Sequence, residues 1–527
     1  MRRPLLLTGF MATGKSAVGR RVAERSERPF IDLDVRIEER AGRSVAQIFA
    51  QGEADFRALE RAELASILDQ PGPVAPVVAL GGGALVRRDV RLSALDRAVV
   101  VTLEASPAEI LRRASGGPPR PLLAASDPAE RALELLELRA SGYAEAHARV
   151  ATDGRSIDAV ADEVLAVWAR DAIAVAAGLD SYAVEIGAGV VAERLAAVVG
   201  RPPCTLLVSD EVVHRHQGTR ALRALAAQAP GVVLIGSGEE HKHIGTVDAI
   251  WRAALAAGAD RSARFVGFGG GVVTDITGFA AATYMRGVPW ICVPTTLLAM
   301  VDASVGGKTG VDLLSAKNAV GAFHHPRAVL CDVDVLATED DRGYRSALAE
   351  VVKTAVIGDA DLLDLLERDV ALVNARTPEL MVELVRRSIR VKARIVAQDP
   401  RESGLRAVLN LGHTVGHALE AQSGYTRLRH GEAVSLGLVA AFRIGVRLGV
   451  TPAPLARRVE ALLARLGLPT DLASEPLADA VELVGHDKKR AGSRLKFIVA
   501  RAPERVEALD LELAEVRRLA LEAGAPA

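Results

Sequence analysis

Residues 9–16, Gly9-Phe10-Met11-Ala12-Thr13-Gly14-Lys15-Ser16, spell GxxxxGKS. They follow the apolar run Leu5-Leu6-Leu7 and precede an amphipathic pattern from about Ala17 to Ser26, so a buried strand should lead through a glycine loop into a helix. In that setting the loop's backbone N–H groups and the helix N-terminus cradle phosphates, Lys15 reaches the terminal ones, and the Ser16 hydroxyl can ligate magnesium. Gly9, Gly14, Lys15 and Ser16 are therefore candidate nucleotide residues on a parallel α/β sheet. No NKxD-like guanine reader accompanies them.

The chain is too long, at 527 residues, for one ordinary core, and should divide into about three units. A formal charge of −1 gives no field for holding a polyanion, which argues against nucleic acid as a partner. Cys204, Cys292 and Cys331 are odd in number and form no CxxC pair, as expected of a reducing cytoplasm. Residues 1–7 are too short for a signal-peptide core, and the most apolar window, 288–307, is broken by Pro289, Pro294 and Asp302. No membrane span is expected.

Phe30-Ile31-Asp32-Leu33-Asp34 reads as the end of a second strand, with both carboxylates on the face that points into the ligand crevice. Further on stand Gly52-Glu53-Ala54-Asp55-Phe56-Arg57-Ala58-Leu59-Glu60, the turn Gly81-Gly82-Gly83, Arg120-Pro121-Leu122-Leu123, and Arg139 with Tyr143. Over about 168 residues this set resembles shikimate kinase. The resemblance implies that Asp34, Arg57, Gly82, Gly83 and Arg139 hold shikimate, that Asp32 and Ser16 hold magnesium, and that Arg120 closes from a lid onto the phosphates of ATP. The chemistry agrees. A carboxylated triol calls for a guanidinium clamp and an anionic acceptor for its hydroxyls, and phosphoryl transfer calls for positioning and charge neutralisation by Lys15, Arg120 and magnesium. Whether Asp34 removes the hydroxyl proton or only orients it stays open.

A helical stretch around Trp168 leads to Gly178-Leu179-Asp180-Ser181 and then to the alternating Tyr182–Ile186, so a kinase-like domain at 1–170 and a linker at 171–180 are expected. From 181 to 340 strands and helices alternate, and from there to the C-terminus the pattern is almost wholly helical. Phe265–Phe268 runs into Gly269-Gly270-Gly271, which can bring backbone N–H groups to a pyrophosphate, although the spacing is not GxGxxG. His413 and His417, four apart, share a helix face, and His430 follows. Three histidines in 18 residues point to metal or acid–base chemistry, with glycines that would let the backbone approach a ligand.

The second part also carries Gly238-Glu239-Glu240-His241-Lys242, Tyr284-Met285-Arg286-Gly287, Pro294-Thr295-Thr296, Val301-Asp302 through Lys308-Thr309-Gly310, Ala316-Lys317-Asn318, Ala349-Glu350-Val351-Val352-Lys353, Lys392 to Val396, Glu402 to Arg406, Asn410-Leu411-Gly412-His413 and Asp487-Lys488-Lys489. Together these resemble 3-dehydroquinate synthase over residues 180–525. The implied fold is an α/β NAD-binding domain at 181–340 and an α-helical metal and substrate domain at 341–527. The implied NAD residues are Asp210, Glu239, Lys242, Gly270, Gly271, Asp275, Thr295, Thr296 and Lys317. For substrate they are Arg286, Asp302, Lys308, Asn318, Lys353, Lys392, Arg406, Asn410, His417 and Lys488, with Lys308, Lys353, Lys392 and His417 catalytic. For zinc or cobalt they are Glu350, His413 and His430, whereas spacing alone would pair His413 with His417. Asp312, Ala316 and Ala347 stand where the family usually has Asn, Gly and Gly.

Only nine of the 65 basic residues are lysine, and eight of those nine fall inside these segments. A compact ammonium is thus kept where a planar guanidinium would not serve. The resemblance implies 3-deoxy-D-arabino-heptulosonate 7-phosphate as substrate, with NAD used catalytically to acidify a C–H before phosphate leaves and then reduced carbon restored. It also suggests a homo-oligomer formed through the synthase part. Another sugar-phosphate cyclase or a polyol dehydrogenase for the second part, and a noncatalytic nucleotide sensor for the first, are the competing readings.

Overall fold

The computed structural model describes residues 3–70, 72–115, 128–314, 316–400, 404–485 and 494–524. Two compact units divide between Glu185 and Ile186.

In the first unit, strands β1 (Leu5–Thr8), β2 (Phe30–Asp32), β3 (Val77–Ala79), β4 (Val99–Glu104) and β5 (Ala148–Ala151) form a parallel sheet in the order β2-β3-β1-β4-β5. Leu5, Leu7, Val77, Val99 and Val101 pack against Val18 and Val22 of helix Lys15–Ser26 and against Val160, Val164 and Trp168 of helix Ile157–Arg170. Burial on both faces explains the unbroken apolar strands. The end of β1 beside this helix aims the phosphate loop at the carboxyl edge of the sheet.

The strand expected to carry both aspartates stops at Asp32, and Leu33–Ala41 is a helix. Asp34 thus sits in a first helical turn, and the two carboxylates are brought together by a strand-to-helix corner, not by the two-residue repeat of a strand. Residues 171–180, expected as a linker, contain strand β6 (Ile173–Val175) and a 3-10 turn at Gly178–Asp180. Arg3 explains the order: its guanidinium meets Asp171 Oδ1 at 2.7 Å and donates to the Ala172 carbonyl at 2.8 Å, while Gly178 N donates to the buried Glu145 at 3.0 Å. β6 then pairs antiparallel with β7 (Tyr182–Gly187).

In the second unit, β8 (Thr205–Asp210), β9 (Gly231–Ile235), β10 (Arg264–Gly269), β11 (Trp290–Pro294) and β14 (Ala328–Asp332) run parallel in the order β14-β11-β10-β8-β9. Leu207, Val266, Phe268, Ile291 and Val293 form its core with Val191, Leu195, Ala221 and Leu225 from flanking helices. β10 leads directly into helix Gly271–Thr283. An antiparallel hairpin, β12 (Lys308–Leu313) with β13 (Ala316–Phe323), precedes β14.

Helices Asp341–Gly358, Pro378–Gln398, His413–Gln422 and His430–Arg447 dominate the rest. The expectation of an almost wholly helical C-terminal part is corrected by β15 (Arg494–Ala502) and β16 (Arg505–Glu512), an antiparallel pair. In β15 Leu495 and Phe497 face inward between the exposed Arg494 and Lys496, but Ile498, Val499 and Ala500 are all buried, so the strand carries no unbroken two-residue period to set it apart from its helical neighbours. Among the described residues no helix is long and apolar enough to cross a membrane.

Two glycines set the spacing of the helices that carry His413 and His430. A Cβ on Gly437 would run into the Gly412 carbonyl, and one on Gly431 into the Ser346 carbonyl. At these two positions the missing Cβ admits the main chain of a neighbouring segment.

Candidate active sites

In the first unit, Lys15 lies back on its own loop, Nζ donating to Phe10 O at 2.8 Å and Gly9 O at 3.1 Å. Gly14 is the N-cap of the helix that Lys15 and Ser16 open. Ser16 Oγ donates to Asp32 Oδ2 at 2.7 Å, which unites the two residues expected to hold magnesium. Arg139 Nη1 and Tyr143 Oη both donate to Gly82 O, at 3.3 and 2.6 Å, fixing the glycine turn beside the clamp. Arg57 pairs with Glu60 at 2.7 Å and Glu53 at 3.1 Å, and its guanidinium lies against Gly83.

Among the described residues Asp34 Oδ1 and Glu60 Oε1 are both buried without a hydrogen-bond partner, and both face Gly81. Burial raises the Asp34 carboxyl, and the Asp32 charge adds to it; burial likewise raises Glu60 against the pull of Arg57. Glu60 was quoted in the motif without a role. Its position three residues after Arg57 on one helix was the available signal. Arg120 lies outside the described residues.

In the second unit, Gly270 caps helix Gly271–Thr283 at the carboxyl end of β10, the anion-binding end. Lys242 Nζ meets Asp275 Oδ2 at 2.7 Å. Thr295 Oγ1 is buried without a partner, and Thr296 Oγ1 accepts Ala299 N. Asp210 caps helix Glu211–Ala224 through Val212 N and Val213 N, and Glu239 lies 3.7 Å from Lys317. Asp312, where the family usually has Asn, accepts Asn318 N at 2.6 Å and so supports its positive φ of 52°.

Lys392 Nζ meets Asp302 Oδ1 at 2.6 Å. Arg406 is buried, holding Pro400 O at 3.2 Å and packing on Gly306. Lys353 and Glu350, three apart on helix Asp341–Gly358, pair at 2.5 Å. Asn410 ends the 3-10 turn before His413, and Lys308 is exposed at the start of β12. Arg286 is exposed between helix Gly271–Thr283 and β11, with Met285 and Arg286 both at positive φ. Lys488 lies outside the described residues.

Glu350, His413 and His430 offer three ligand atoms within 4.8 Å of one another. His413 Nε2 and His430 Nε2 stand 3.4 and 3.3 Å from Glu350 Oε1. Neither oxygen of Glu350 accepts a well-formed hydrogen bond, although the residue is buried. Burial opposes its charge, yet Lys353, His413 and His430 hold its carboxyl well below the usual range. Burial and Lys353 push His413 down to about 3; for His430 burial is outweighed by Glu350 and Glu420, which raise it to about 10. His417 is exposed, its ring 4.8 Å from that of His413 and 5.9 Å from that of His430. Glu420, for which the sequence carries no motif signal, contacts His430 and Lys317.

The folds and sites define a P-loop phosphotransferase joined to an α/β enzyme of the dinucleotide and metal kind. Residues 11–169 match the shikimate kinase family, 232–346 the 3-dehydroquinate synthase N-terminal family and 347–490 its C-terminal counterpart. A 3-dehydroquinate synthase of Caulobacter vibrioides is 43% identical over 365 residues, covering 67% of this chain and 99% of that protein. Among solved structures, ValA (2-epi-5-epi-valiolone synthase) of Streptomyces hygroscopicus subsp. jinggangensis with NAD+ and Zn2+ bound is 28% identical, TM-score 0.59, over 65% of this chain and 96% of its own. A 2-deoxy-scyllo-inosose synthase complexed with carbaglucose-6-phosphate, NAD+ and Co2+ is 25% identical, TM-score 0.59, over 65% and 97%. The chain belongs to the 3-dehydroquinate synthase family and carries a shikimate kinase domain ahead of it. It is a bifunctional enzyme of the shikimate pathway.

Proposed function

We propose that the first unit transfers the γ-phosphoryl group of ATP to the 3-hydroxyl of shikimate, and that the second converts 3-deoxy-D-arabino-heptulosonate 7-phosphate to 3-dehydroquinate and phosphate. The observation that carries the second reading is the convergence of Glu350, His413 and His430 in the same unit as the buried Lys353, Lys392 and Arg406. A polyol dehydrogenase has no phosphate to hold with such cations.

In the kinase unit Arg57 and Arg139 clamp the substrate carboxylate, Asp34 accepts its hydroxyl proton or hydrogen bond, and Lys15 neutralises phosphate. The raised Asp34 carboxyl makes its ionised form the stronger acceptor. Ser16 and Asp32, already paired, would hold magnesium, which would supply charge neutralisation for the phosphates.

In the synthase unit the donor set fits a divalent metal. A buried carboxylate, paired through Oε2 with Lys353, turns Oε1 toward two imidazole nitrogens, a three-donor set of mixed oxygen and nitrogen that suits a catalytic ion. The ion would polarise the reacting hydroxyl. NAD+, where bound, would supply reversible hydride chemistry with no net redox change. The glycine-opened helix with Lys242 and Asp275 fits the dinucleotide, and the cofactors named for both solved relatives support the pair. Lys353, Lys392 and Arg406 hold the anionic groups of the substrate, and His417 faces it from the exposed side of its helix.

We assign NAD+ and zinc or cobalt to the second unit, magnesium–ATP to the first, and a cytoplasmic homo-oligomer to the whole. The boundaries follow the two compact units and, within the second, the change to helices near residue 340. The test is turnover of each substrate by the full chain with NAD+, metal or magnesium–ATP withheld in turn. Each omission should silence one reaction and leave the other.

A further inference from the structure

Glu420 lies on the helix that carries His413 and His417. Its side chain is 6% exposed and both its oxygens are engaged. Oε2 stands 3.1 Å from His430 Nδ1, and Oε1 accepts Lys317 Nζ at 2.9 Å. Lys317 reaches it from β13, where its ammonium also lies over the Tyr425 ring at 4.4 Å.

The two imidazoles of the metal cluster are held in the same way. His413 Nδ1 is 3.2 Å from the Leu411 carbonyl, which can only accept, so Nδ1 carries the proton and Nε2 keeps its lone pair facing Glu350. Among the described residues no backbone carbonyl takes that role at His430. The Glu420 carboxylate replaces it, accepting from Nδ1 and leaving Nε2 directed at Glu350 Oε1. Lys317 keeps Glu420 from turning away, because its ammonium occupies the other oxygen. His417, Glu420 and His430 also bring three donor atoms within 4.8 Å, but the engagement of both Glu420 oxygens accounts for that grouping without a second ion.

We propose that Glu420 is a positioning residue, fixing the tautomer and ring orientation of His430 so that Nε2 is presented to the metal, with Lys317 locking the carboxylate in place. The inference rests on the metal reading given above. Carboxylates that hold a ligating histidine change metal affinity by about 10–100-fold when removed.

The test is competition of the full-length chain against a chromophoric chelator for Zn2+, with the visible spectrum of the Co2+ form as a second readout. E420A should lose about 10–100-fold in affinity and show an altered cobalt spectrum. E420Q, whose amide oxygen can still accept from Nδ1, should lose less. Circular dichroism verifies that both fold, and a merely structural role would not move the cobalt bands of a folded variant. Wild-type affinity and spectrum in E420A, while H430A loses metal, would overturn the role of Glu420 alone. Retention of metal by H430A would overturn the ligand set and this inference with it.

Discussion

Lys392 and Asp302 meet across 90 residues of chain: the lysine Nζ is 2.6 Å from the Asp302 carboxylate and 2.5 Å from its backbone carbonyl. Burial works against the lysine's charge and lowers its proton affinity, while Asp302 supports it. The pair therefore ties helix Pro378–Gln398 to the turn after Thr295-Thr296. Lys392→Met should lower synthase turnover by about one to two orders of magnitude, as loss of charge-assisted bonds worth about 1.5–3 kcal/mol each requires. Shikimate-dependent ATP consumption, assayed on the same preparation, should be unchanged.

Arg57→Ala should weaken shikimate use by about tenfold or more through the same kind of loss, with ATP affinity retained. Gly83→Ala offers a second route, since its new Cβ would displace the Arg57 guanidinium. Steady-state kinetics should show the acceptor KM rising in both. An unchanged KM in R57A refutes the clamp.

His430→Ala should lose bound zinc and all synthase activity. His417→Ala should keep nearly stoichiometric zinc and turn over poorly. Metal analysis of the purified variants separates this arrangement from one in which His413 and His417 share the ion.

Glu339, largely buried, accepts Leu297 N at 3.0 Å, and burial pushes its carboxyl up to about 7. A raised folded value stabilises the fold fully below the unfolded value near 4.3, and that contribution is lost as pH rises through about 7. Glu339→Gln keeps the acceptor and removes the titration. Relative to the parent it should gain about 1–3 kcal/mol at pH 8 over pH 5, read from denaturant melts of the synthase unit. Parallel pH profiles would refute the assignment.

What the sequence made legible was local. The phosphate loop, the glycine turn after β3 and the glycine-opened helix after β10 each lie within a few consecutive residues. Asp34 is legible as a crevice carboxylate but not in its setting, because nothing in the local pattern marks the change from strand to helix at Leu33. Strands β15 and β16 were lost among residues of high helix propensity, where only packing chooses the period. Glu420 gave no signal of its own, since its two partners come from opposite directions along the chain, His430 ten residues on and Lys317 103 residues back. Spacing could not choose between His417 and Glu350 either. Which donors face one another is decided by how three helices pack.

That packing has its own consequence at Gly431 and Gly437. Where main chain rests on main chain, no side chain can reshape itself to absorb an added methyl group. The distance between the imidazoles and the Glu350 carboxylate is then calibrated by residues that touch neither ion nor substrate. In a saturation screen scored by metal retention, these two positions should be as intolerant as the ligands themselves, and an alanine at either should read as an empty site.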